Sequence, residues 1–183
     1  LHKLAKKRFG RMGTCDTDGM AAANTAIYRE FDQIKADVLA EECDDAATTL
    51  TKIVPLMTIP LIQGTVEYAY KADPESAYTC KHAGEDGQDC QKEWAEGWAF
   101  AAAVLPQIDA CDSTVAATIV SNLDVANSAP MTDGFAALKT AVESTSAAPR
   151  SADGHRTTIM VSPGTSPNGS FLTPGRARPN SVR

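Results

Sequence analysis

The chain has 183 residues, 43% of them hydrophobic, which suits one sizeable domain rather than two. Its formal charge is −6, but residues 1–13 hold +5 and residues 146–183 hold +4, leaving −15 for residues 14–145. So acidic a body repels phosphate backbones and attracts cations, which excludes nucleic acid as an expected partner, and the longest apolar run, residues 97–106, is too short to span a bilayer.

Residues 1–20 are basic, then rich in Gly and Thr, and read as an N-terminal arm. From Ala21 a helix is predicted whose buried face is Ile27, Phe31, Ile34 and Val38, at i, i+4, i+7 and i+11, with Arg29, Asp32, Gln33 and Asp37 opposite. The run Glu41, Glu42, Asp44, Asp45 continues this helix or breaks it. Helical spacing resumes over residues 46–54 with Leu50, Ile53 and Val54, and Pro55 and Pro60 are expected to interrupt it. Pro60 can open the next helix, residues 61–70, which Asp73-Pro74 stops. The segment from Glu93 to Leu105 is alanine-rich and apolar on every side after Gly97, so it is expected to be a buried helix ended by Pro106. Shorter helices are predicted over residues 114–123 and 133–143, the second with Asp133 as its N-cap. The fold class is therefore all-α, a bundle of about five helices over residues 21–144. From residue 145 Ser, Thr, Pro, Gly and Arg dominate, and residues 145–183 read as a tail that carries one glycosylation acceptor, Asn168-Gly169-Ser170.

Five cysteines lie within the acidic body, none of them in a CxxC pair, which argues against zinc-ribbon and thioredoxin-like chemistry. Cys80 and Cys90 flank a polar loop with no core of its own, where a disulfide adds roughly 3 kcal/mol by restricting the unfolded chain. A Cys80–Cys90 bridge is expected, and with it a secreted, oxidising setting. The chain contains no hydrolase, metalloprotease, P-loop or dinucleotide-binding motif, and His2, His82 and His155 are far apart, so no enzyme is expected.

The remaining candidates are hard oxygen donors on segments expected to be buried. Glu67 and Tyr70 share one helix stripe, and Glu93 and Glu96 stand at the start of the tryptophan helix. The two helices are joined by the loop that the expected disulfide closes, a connection that tends to make antiparallel neighbours and so brings these four residues together as a candidate site for a hard cation such as ferric iron. The competing structural reading pairs Glu67 with Lys71 at i, i+4 and assigns Glu93 and Glu96 to the helix dipole.

The stretch from Gln63 through Tyr68-Ala-Tyr-Lys71 to Asp73, followed by Glu93-Trp-Ala-Glu-Gly-Trp-Ala-Phe100, resembles the low-iron-inducible periplasmic proteins of algae over residues 26–144. The resemblance implies an alanine-rich helical protein of the periplasm or cell surface that binds iron or assists its assimilation, with a cell-surface transporter or extracellular assembly as partner. It supplies no ligand set, so the four site residues rest on their chemistry alone. The alternative is a structural or interaction module of a cell wall or extracellular assembly, without metal chemistry.

Overall fold

The computed structural model describes residues 1–13, 19–78 and 90–147, with the side chains of 145–147 excepted. Six helices form, with no strand among the described residues: α1 (His2–Met12), α2 (Ala22–Leu39), α3 (Cys43–Ala72), α4 (Cys90–Cys111), α5 (Ser113–Leu123) and α6 (Gly134–Ala147). The all-α bundle expected from the sequence is the fold. Among the described residues no helix is long and apolar enough to cross a membrane.

Three expectations about the elements are corrected. Residues 2–12 are a helix rather than an arm, and Ala5, Arg8 and Phe9 are buried on it. The basic composition hid a short apolar stripe, Ala5 and Phe9 at i, i+4, which packs on Ala21, Ala23 and Ile59. Pro55 and Pro60 lie inside one 30-residue helix instead of dividing it. A proline in a helix interior costs roughly 3 kcal/mol, and here the packing of α3 against both α2 and α4 offsets that, with Pro60 itself buried. Pro106 likewise lies within α4, which runs on to Cys111.

The main core lies where α3, α4, α5 and α6 meet, around Val66, Ala69, Val104, Ile119, Leu123 and Leu138. Helix α4 is antiparallel to α3 and packs closely on it: a Cβ on Gly97 would approach the Tyr68 Cβ to 3.3 Å, and one on Gly64 would meet Phe100 at 2.7 Å. Both glycines are therefore fixed by packing. The tryptophan helix is less buried than expected. Trp94 and Trp98 are partly exposed and Ala102 and Ala103 exposed, because the helix has neighbours on one side only.

Caps join distant segments. The Asp112 carboxylate accepts from the amides of Thr114 and Val115 at the start of α5. Asp133 does not cap α6, as expected of it; its carboxylate accepts from Ser121 and Asn122. The amide of Phe135 donates instead to Asp73 at 2.7 Å, so the residue that ends α3 also caps α6. Helix α6 runs three residues past the tail boundary expected at 144. Cys80, Asn168 and residues 148–183, on which the disulfide, glycosylation and tail expectations fall, lie outside the described residues. Cys43 and Cys111 are free thiols, and both are exposed.

Candidate functional site

Two features stand apart from ordinary core packing, a buried cluster of charges and an uncovered apolar face. The charges gather where α1, α3 and α4 meet. The period of α3 puts Gln63, Glu67 and Lys71 on one stripe; Arg8 reaches this stripe from α1 and Glu93 from α4. Arg8 and Arg11 each pair with one oxygen of Glu67. Lys71 stands between the two acids, with its Nζ 3.6 Å from Glu67 and 3.2 Å from Glu93. The Arg8 guanidinium is also flanked by the rings of Tyr68 and Phe100, at 4.9 and 4.8 Å from their centroids. These rings stack on one another at 5.5 Å, and they face an arginine whose Nε has no hydrogen-bond acceptor among the described residues.

The electrostatics follow from this arrangement. Burial pushes the Glu67 carboxyl up, but the charges and hydrogen bonds of Arg8 and Arg11 outweigh it, and the net direction is down. Burial also raises the Tyr68 phenol, which a hydrogen bond with Glu96 raises further. Tyr78 is pushed up to about 12, first by burial and then by the neighbouring Glu93 charge. Both phenols therefore stay protonated near neutral pH.

The sequence-predicted metal ligands are only partly brought together. Glu67 and Glu93 converge as expected, on either side of Lys71. Glu96 does not join them: it hydrogen-bonds the Tyr68 phenol and lies 3.9 Å from Lys92, and Tyr70 packs edge-on against Phe135 at 5.2 Å. Among the described residues no group of three His, Cys, Asp or Glu side chains is placed to hold a metal. Arg8, Arg11 and Lys71 surround the two buried acids, so both carboxylates are paired with cationic side chains as folded. The i, i+4 pairing of Glu67 with Lys71 is present. Sequence reasoning missed Arg8 and Arg11 because it placed them in an arm; the signal that could have found them is the i, i+3 spacing of the two arginines beside the Ala5–Phe9 stripe.

The second feature lies on α2 and the first half of α3. These helices form an antiparallel hairpin whose shared face is polar. Glu30 and Asp37 are buried in it, Asp37 within reach of the Thr49 hydroxyl at 3.4 Å and Glu30 of Lys52 at 3.9 Å. The stripe expected to be the buried face of α2 points outward instead: Phe31 is 51% and Val38 56% exposed, with Ile27 and Ile34 half-buried. On α3, Leu50 is 53%, Val54 50% and Met57 41% exposed. The periodicity was correct and the direction was not, because a period identifies an apolar stripe but not its partner.

The two stripes share one side of the hairpin. At 100° per residue, each lies about 70–80° clockwise, seen from its own N-terminus, of the line along which the helices touch. In an antiparallel pair, equal clockwise offsets fall on the same side. The Glu30–Lys52 and Asp37–Thr49 contacts set the register, which puts Phe31 level with Ile53 and Val54, and Ile34 level with Leu50.

No protein-family model, curated protein or solved structure matches this chain.

Proposed function

We propose that the chain is a non-enzymatic helical docking module, an interaction protein of an extracellular assembly, and that it binds a protein partner through the outer side of the α2–α3 hairpin. The observation that carries this reading is the inverted polarity of α2: acids face inward to α3 and large apolar side chains face outward. An isolated exposed leucine is ordinary; a contiguous apolar stripe on two neighbouring helices, with acids turned inward, is what supports an interaction surface. The buried charge cluster serves the module as a clamp that holds α1 and α4 to α3. The extracellular setting rests on the distribution of cysteines in the sequence.

A photoreactive phenylalanine analogue placed at Phe31 or Val54 tests the reading in the native extracellular fraction. Cross-linking to a partner chain is expected from those positions and not from Gln107, an exposed position on α4. Equal cross-linking from all three positions, or none from any, refutes it.

Iron capture, which the family resemblance implies, is the second reading, and the convergence of Glu67 and Glu93 favours it. It requires a cation to displace Lys71 from between them. Iron titration of the purified chain followed by elemental analysis tests it. Stoichiometric iron that is lost in Glu93→Gln/Glu96→Gln establishes this reading in place of the first.

A further inference from the structure

The docking reading leaves its partner open, and the charge and extent of the face identify one. We infer that the occupant of the α2–α3 face is a second copy of the same hairpin, packed head to tail about a two-fold axis into a four-helix layer pair. This inference rests on the docking reading and deepens it.

Extent is the first argument. Five half-exposed apolar residues, Phe31, Val38, Leu50, Val54 and Met57, are joined by the half-buried Ile27 and Ile34. A fully buried aromatic accounts for roughly 150–250 Å², so half-open side chains in this number leave on the order of 500 Å² uncovered. That is within the range of the largest patch on a monomer, and the roughly 800 Å² per partner of a stable interface requires the polar rim and the charged ends to be covered as well. The apolar stripe of α2 from Ile27 to Val38 is about 17 Å long at 1.5 Å per residue. Two helices presenting one continuous apolar side are half of a four-helix bundle, and a copy of the same pair is complementary to them in length and pattern.

Charge is the second argument, and it fixes the orientation. The tip of the hairpin carries Glu41, Glu42, Asp44 and Asp45, all exposed. The opposite end lies beside α1, where the Asn24 side chain donates to the His2 carbonyl at 3.1 Å, and there Lys3, Lys6 and Lys7 are exposed. None of these seven residues makes an ion pair with the described residues. A parallel dimer sets tip against tip and repels itself, whereas a head-to-tail dimer sets each acidic tip beside the lysines of the other copy. The apolar positions between the two ends carry no charge, and Lys35, exposed one turn from Phe31, stands at their margin. The same acidic tip repels anionic lipid, which favours a protein over a membrane surface.

Sedimentation equilibrium of the full chain provides the test. The native chain is expected to sediment at twice its 19.3 kDa at micromolar concentration. Phe31→Glu/Val54→Glu is expected to sediment as a monomer with an unchanged helical circular dichroism spectrum, because both positions are already half-exposed. Glu41→Lys/Glu42→Lys and Lys6→Glu/Lys7→Glu should each weaken self-association by about tenfold or more, and an equimolar mixture of the two should restore it. A native chain that stays monomeric at about 100 µM, a Phe31→Glu/Val54→Glu dimer, or a mixture without recovery overturns the inference. Cross-linking from Phe31 to a different protein, with the native chain monomeric, overturns the second copy and leaves the docking reading in place. A monomer that floats with phosphatidylcholine vesicles through this face overturns both.

Discussion

Replacing Glu67 by Gln gives the most direct measure of what the buried charge cluster contributes. The carboxylate accepts from Arg8 and Arg11 and lies 3.6 Å from Lys71. Arg8 is 2% exposed, with no other acid in contact among the described residues, so removing the charge leaves a buried guanidinium whose neighbours are a neutral amide and aromatic rings. Breaking a buried pair in this way costs about 3–5 kcal/mol. The Arg11 arm adds little, since its side chain is 38% exposed and such pairs are worth at most about 1 kcal/mol. Against a domain stability of about 5–15 kcal/mol, the loss is large enough to separate two outcomes.

Helix α1 is held by a small apolar cluster, by Met12 at the edge of the main core, by the Asn24–His2 hydrogen bond and by this charge network, which is its one buried ionic contact among the described residues. Glu67→Gln should therefore release α1 before the α3–α6 core unfolds. Hydrogen exchange should lose protection at residues 5–12 and retain it in α4 and α5, while urea denaturation shows a lower midpoint or an added early phase. Arg8→Met with Glu67→Leu removes both charges while keeping shape, and should recover most of the lost stability. A single-variant cost below about 1 kcal/mol, or a double variant as damaged as the single, refutes the clamp.

Acid should release the same contact. The folded Glu67 carboxyl lies below its ordinary value of 4.5, so its stabilisation is fully present above that value and is lost as pH falls through the lower folded one. Exchange protection of α1 followed from pH 6 to pH 2 should fall in that acidic window and not near neutrality. Gly64→Ala should destabilise by roughly 1–3 kcal/mol in thermal unfolding, because the added Cβ meets the Phe100 ring at 2.7 Å and disturbs its contact with Arg8. Asp73→Ala should cost about 1 kcal/mol, read by urea denaturation, with increased amide exchange at Phe135 as its local signature.

How far the sequence specifies this molecule depends on whether a residue's partner is near or far along the chain. Helices α2, α5 and α6 were legible because their periodicity is internal, and the Glu67–Lys71 pair because it spans one turn. The prolines misled because their cost is local, while the packing that offsets it comes from α2 and α4. Asp73 could not be read as the cap of α6, since its partner amide is 62 residues away. Arg8 and Arg11 looked like solvated charges because the acid they serve is more than 50 residues along the chain.

The direction of α2 is a different case. Its apolar stripe was identified correctly and assigned to the interior on the rule that such stripes are buried, yet Glu30 and Asp37 hold the interior position. The rule is not broken if burial is completed by another chain. A monomer that turned this stripe outward without cover would forgo roughly 1.5–3 kcal/mol for each large side chain that could be fully buried, while keeping two acids against α3 at a further cost. Two opposing choices on one helix are hard to reconcile with a free surface, and both are accounted for when the outer side is an interface. The prediction that follows concerns the acids. Glu30→Leu with Asp37→Leu makes both faces of α2 apolar, so the helix can roll to bury its stripe on α3. Self-association should then weaken while urea stability of the single chain rises, as measured by sedimentation and denaturation on the same samples. Unchanged association together with a rise in stability would mean that the inward acids play no part in presenting the outer face.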